Sequence, residues 1–111
     1  MIRSDPQPIQ LDLNNPVFQR QLFTLQKKDQ EKVLGTLRKL MDMNWDQVYS
    51  DRGLNWEIIL SRTAHRGSRL YSFRIGEGFR GISFREGNWL RILALLQTTI
   101  LPIDKRKNSF S

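Results

Sequence analysis

Leu70-Tyr71-Ser72-Phe73-Arg74-Ile75, Phe79-Arg80-Gly81-Ile82-Ser83-Phe84-Arg85 and Trp89-Leu90-Arg91-Ile92-Leu93-Ala94-Leu95-Leu96 are three short runs, separated only by Gly76-Glu77-Gly78 and Glu86-Gly87-Asn88. In the first run Tyr71, Phe73 and Ile75 alternate with Ser72 and Arg74, the two-residue period of a strand with one buried face. Short glycine-containing breaks between such runs are hairpin signals. The stretch from Arg69 to Leu96 therefore predicts a three-stranded antiparallel meander, with Ser72 and Arg74 on the face opposite Tyr71, Phe73 and Ile75.

Upstream, Pro8-Ile9-Gln10-Leu11-Asp12-Leu13 alternates in the same way, and its proline marks an edge or a strand start. Asn15-Pro16 supplies an N-cap side chain and a proline at the first helical position, where its missing N–H costs nothing. Val17, Phe18, Leu22 and Leu25 then form one apolar stripe, and Lys27-Lys28 places charge at the C-terminal end of that helix. Asp29 is the expected cap of a second helix, with Val33, Leu34, Leu37, Leu40 and Met41 on its apolar face and Lys32, Arg38 and Lys39 off it. The pair makes an αα-hairpin. Asn44 to Gly53 loses the helical period and predicts a connection, with Trp45 folded back on the core. Leu54 to Leu60 predicts a strand, and Ser61 to Arg69 a polar, basic loop. The expected fold is α+β: an N-terminal strand, an αα-hairpin, then a three- to four-stranded antiparallel sheet. It forms one domain over residues 1–111, with its core at about 8–103 and a basic, mobile tail at 104–111.

The chain has no cysteine, which excludes disulfides and thiolate metal sites. His65 is its only histidine, with no carboxylate cluster beside it in sequence, and Gly76-x-Gly78 belongs to a hairpin with no helix after it. Neither a metal nor a cofactor is expected. No apolar run is long enough to span a bilayer, and Met1 to Pro6 lacks a signal-type hydrophobic stretch, so a cytoplasmic protein is expected. The net charge of +7 is segregated. Residues 1–60 are neutral, whereas Ser61 to Arg91 holds Arg62, Arg66, Arg69, Arg74, Arg80, Arg85 and Arg91 against Glu77 and Glu86, and Lys105, Arg106 and Lys107 follow in the tail. Guanidinium groups suit bidentate contact with phosphate, so a polyanionic partner is favoured over the alternative of a solubilising surface. Arginines on the free sheet face would make a shallow basic cleft for an extended nucleic-acid strand. His65 is a candidate general acid or base by its intrinsic pKa, set against a solvated loop residue. Phe79, Phe84 and Trp89 could stack bases if exposed, against the commoner role of core packing.

Tyr71-Ser72-Phe73-Arg74-Ile75-Gly76-Glu77-Gly78-Phe79-Arg80 resembles the RelE/ParE superfamily, the toxins of bacterial toxin–antitoxin modules, whose members carry an aromatic-x-apolar-basic-apolar run, a glycine turn and an aromatic-Arg pair. Asp51-Arg52-Gly53-Leu54-Asn55-Trp56-Glu57 is similar to the segment entering the sheet in some members, and the element order agrees over roughly residues 8 to 103. The resemblance implies a toxin neutralised by a small antitoxin, acting in the RelE branch as a metal-independent endoribonuclease on mRNA at the ribosome and in the ParE branch on DNA gyrase. It implies for Arg74 and Arg80 the charge-neutralising role at the scissile phosphate, with Arg62, Arg66, Arg69, Arg85, Lys105 and Arg106 as further nucleic-acid contacts. Ser72 stands where some members have a further lysine. After the last strand, where many members place His-Asp-x-x-Tyr or an Arg and a Tyr, this chain has Gln97-Thr98-Thr99-Ile100-Leu101-Pro102-Ile103-Asp104. Acid–base groups contribute on the order of 10²–10⁴ in rate, so a non-catalytic RNA-binding domain of the same fold stays open beside the two toxin readings.

Overall fold

The structure, a computed structural model, describes residues 7–63 and 67–98, with backbone alone for 61–63. Its elements run β1 (Gln10–Asp12), α1 (Pro16–Thr24), α2 (Lys27–Met41), α3 (Trp45–Ser50), β2 (Glu57–Thr63), β3 (Arg69–Gly76), β4 (Phe79–Glu86) and β5 (Trp89–Gln97). They form one five-stranded sheet in the order β1-β5-β4-β3-β2. The last four strands are the antiparallel meander expected from the alternation, one strand longer at its start, and β1 joins β5 in parallel at the far edge.

The helices cover one sheet face. Phe73 and Phe79, with Leu90, Ile92 and Leu95 of β5, bury against Phe18 of α1 and Val33, Leu37 and Leu40 of α2. Asn15 caps α1 as its sequence predicts, its side chain accepting from the backbone N–H groups of Val17 and Phe18. The second helix begins earlier than Asp29: Gln26 is its N-cap without a side-chain bond, and Asp29 lies in the first turn. Lys27 and Lys28 consequently open α2 rather than close α1. Leu34 and Met41, expected on the buried stripe, are more than half exposed, because only the Val33-Leu37-Leu40 line faces the sheet.

Two segments differ from the sequence reading. Residues 44–53 are not a plain connection but contain α3, closed at its start by a reciprocal capping box between Asn44 and Gln47. Its residues Trp45 and Val48 are buried, so Trp45 does return to the core. The strand expected at Leu54 starts at Glu57 instead: Leu54 is buried in a turn, and Asn55 adopts φ 47°, which breaks extended backbone. Ser61 to Thr63 then belong to β2 rather than to a loop.

Side chains close what the short β1 leaves open. It ends opposite Arg91, and beyond that point Gln21 of α1 takes the place of a strand, donating to the carbonyl of Leu95 (2.9 Å) and accepting from its N–H (2.6 Å). Arg91 reaches Asp12 at 2.6 Å and Glu86 at 2.7 Å. A bond from the Asn14 N–H, then the Arg91 guanidinium, hold the Asp12 carboxyl below its ordinary range. A carboxylate with a depressed folded pKa contributes stability above its unfolded value, and that contribution is lost as pH falls through the folded one. Amides of β1 should therefore lose hydrogen-exchange protection as pH falls below about 4. Asp12→Asn should remove that pH dependence; an unchanged acid profile would show that the pair does not hold β1.

Candidate nucleic-acid interface

The sheet face away from the helices carries the candidate site. Cross-strand register puts Arg74 of β3 directly opposite Arg80 of β4, Ser72 opposite Ile82, and Leu96 of β5 opposite Arg80. Glu57 and Ile59 of β2 face Ser72 and Leu70. Directly opposed residues in an antiparallel pair lie about 5 Å apart at Cβ, so two like charges there repel unless something compensates them.

Compensation is unequal. Arg80 is half-buried and tethered on three sides: its Nε donates to Ser72 Oγ (2.9 Å), its Nη2 donates to the Asn55 carbonyl (2.7 Å), and Glu57 Oε1 lies 3.4 Å from Nη2. Ser72, buried at 7 % exposure, thus orients Arg80 rather than contacting a ligand. Arg74 is exposed and makes no ion pair among the described residues. The result is one preorganised guanidinium and one free one, side by side, with an exposed carboxylate at their border.

Beside this cluster the face is apolar. Ile59, Leu70, Ile82, Ala94 and Leu96 line a shallow depression of about 400 Å³. Among the described residues, the expected basic cleft is therefore basic only at the end nearest the β3–β4 turn. That turn is itself fixed by the end of β5: the Thr98 N–H donates to the Gly78 carbonyl at 2.7 Å, and Gly78 sits at φ 66°.

Against known proteins, no family model matches the chain and no curated protein matches its sequence. Among solved structures, a chain of the archaeal RelE–RelB complex from Pyrococcus horikoshii OT3 superposes with a TM-score of 0.56 at 16 % identity, over 84 % of this chain and 96 % of that one. The chain has the RelE-like fold. At that identity the likeness establishes architecture, and the site must be argued from its own residues.

Within the RelE-like sheet the other predicted contacts scatter. Arg85 lies across the sheet from Arg74 and Arg80: its guanidinium packs 4.4 Å from the Trp45 ring, and it donates to Tyr49 Oη at 2.6 Å. There it closes an aromatic group in which Trp56 meets Trp45 edge-on and stacks on Tyr71. Arg91 is bound by its two carboxylates, which raise its pKa further, and covers Trp89 at 5.4 Å. Arg69 is exposed at the start of β3. Phe79 is core and Phe84 half-buried, so of the three candidate stacking aromatics only Trp89 is exposed. His65, Arg66, Lys105 and Arg106 lie outside the described residues, as does the side chain of Arg62. The residue that sequence reasoning passed over is Glu57, which reaches the arginine pair only through the β2–β3 and β3–β4 registers. No helix among the described residues is long and apolar enough to cross a membrane.

Proposed function

We propose that this chain is the toxin of a toxin–antitoxin module, binding RNA through the Arg74–Arg80 pair and held inactive by a small antitoxin protein. The observation that carries the reading is the opposed arginine pair on the free face of a RelE-like sheet. Two guanidinium groups at one cross-strand position are mutually unfavourable until an anion enters between them, and a phosphate accepts from both. The solved neighbour is a RelE–RelB complex, which supports a protein antitoxin as partner.

The same geometry suggests how RNA would be cut. Glu57 takes the proton of a ribose 2′-hydroxyl, the 2′-oxygen bonds to phosphorus, and the bond to the 5′-oxygen breaks, with water protonating the leaving alkoxide. The products are a 2′,3′-cyclic phosphate and a 5′-hydroxyl. Arg74 and Arg80 neutralise the charge that builds on the phosphorane oxygens. Glu57→Gln should then bind RNA more tightly, because it removes a negative charge and frees Arg80, while cutting at least about 100-fold more slowly. Equal cleavage by this variant would remove Glu57 from the reaction.

A second reading, a toxin acting on DNA gyrase, is favoured by the apolar depression, which suits a protein surface better than a phosphate backbone. Induced expression separates the two. Growth arrest with new 5′-hydroxyl ends in RNA supports the first; arrest with intact RNA and lost supercoiling supports the second. RNA binding without arrest would indicate a non-catalytic domain and end the toxin reading.

A further inference from the structure

The outer face of α2 is as regular as its inner one. Opposite the buried Val33-Leu37-Leu40 line, Lys28, Glu31, Gly35, Arg38 and the C-cap Asp42 follow at alternating steps of three and four, one stripe about 80° wide. All five are exposed, and the four charged ones make no ion pair among the described residues. Gly35 stands in the middle, where a glycine lowers helix stability relative to alanine. Nothing in the chain itself requires it: a Cβ there would meet no atom within 4 Å. What the missing side chain permits is close approach of another helix. Beside the stripe, Leu34 is 54 % exposed, Met41 56 % and Phe23 of α1 74 %. Leu34 and Met41 lie on the flank toward α1, where Gln30 bonds the Leu22 carbonyl; on the other flank Lys32 lies over Gly76 of β3.

We propose that α2 packs antiparallel on α2 of a second copy, with the two-fold axis passing beside Gly35. About that residue the stripe is self-complementary in charge. Lys28 and Asp42 stand seven residues to either side, and Glu31 and Arg38 four and three, so Lys28 meets Asp42 and Glu31 meets Arg38 in both halves. The four charges sum to zero on a chain of +7, so the copies meet along a neutral line. Because the axis crosses both helices, it brings the two apolar flanks to the same side. Leu34 there meets Leu34, and Phe23, next to Leu22 and so level with the first turns of α2, comes opposite Met41 of the second copy. Exposed ion pairs contribute little affinity each; they set register, while the apolar flank and the close backbone contact hold the pair. The two sheets lie outside and the helices inside, so both Arg74–Arg80 pairs stay open and the dimer does not depend on RNA binding.

An interface this small buries less than about 1,200 Å², at the low end of specific ones, so the dimer is reversible with Kd roughly micromolar. Sedimentation of the full chain from about 5 to about 200 µM is the test, with a mass rising from 13.1 kDa towards twice that value. Gly35→Gln should weaken the dimer at least about tenfold while thermal stability stays equal or rises, since glutamine is the better helix former and meets nothing in the monomer. Glu31→Arg and Arg38→Glu should each weaken it about fivefold or more, and the two together should restore it. Those residues are two turns apart on one helix and do not touch, so the rescue arises only between copies. A chain monomeric throughout, a dimer indifferent to Gly35→Gln, or a double swap no better than the single ones overturns the proposal.

Discussion

Gly81→Ala should destabilise the protein by about 2–3 kcal/mol, more than a single methyl group would suggest, because the methyl enters the most tightly packed point of the sheet. Gly81 lies directly across from Phe73 in the β3–β4 pair, and the far end of the fully buried Phe73 ring lies against it. A Cβ there would lie 2.6 and 2.8 Å from two ring carbons and closer still to a third. The ring cannot swing aside, since Phe73 belongs to the close-packed cluster of Phe18, Val33, Leu37 and Leu40. Relief therefore demands an off-rotamer ring or a shift of β4. Urea unfolding should show a lower midpoint at unchanged slope, the signature of lost stability rather than altered compactness. Phe73→Leu alone should also cost stability through lost packing, yet combined with Gly81→Ala it should cost less than the sum, because leucine vacates the space the methyl needs. Strict additivity would show that the ring and the glycine do not interact as described.

That glycine also illustrates what could be read from the chain and what could not. Strand alternation located β3, β4 and β5, and Asn15-Pro16 located the start of α1, because each signal is local and repeats over several residues. The third helix escaped because six residues hold too few turns to show a period. Its signal was the Asn44-x-x-Gln47 capping box, with Trp45 and Val48 three apart on one face. The start of β2 was placed three residues early because Leu54 and Trp56 continue the alternation in letters while Asn55, at positive φ, breaks it in space. In the site, period two alone separates Arg80 from Arg85, which stand five residues apart on one strand and so face opposite ways. Treating the arginines as a single basic surface passed over that parity. Glu57, by contrast, was not legible: its approach to Arg80 depends on two strand registers and on the turn at Asn55, none of which a local pattern encodes.

The two arginines of the site should separate when each is removed, and this is the largest functional effect expected. Arg74→Ala deletes an exposed guanidinium with no ion pair among the described residues, so unfolding should be unchanged within about 0.5 kcal/mol. RNA binding should fall roughly tenfold at moderate salt, and the slope of log affinity against log salt should drop by about 0.7, the value for one single-strand phosphate contact. Arg80→Ala should lose comparable affinity and also stability. It leaves the Asn55 carbonyl and the buried Ser72 hydroxyl without their donor and Glu57 without its partner. Arg80→Lys distinguishes charge from geometry: a lysine keeps the positive charge but cannot serve Ser72 and Asn55 together while still facing a phosphate, so it should restore the salt slope without restoring affinity. If Arg74→Ala binds RNA with undiminished affinity and slope, the phosphate does not lie between the arginines, and the apolar depression becomes the stronger guide to what this face meets.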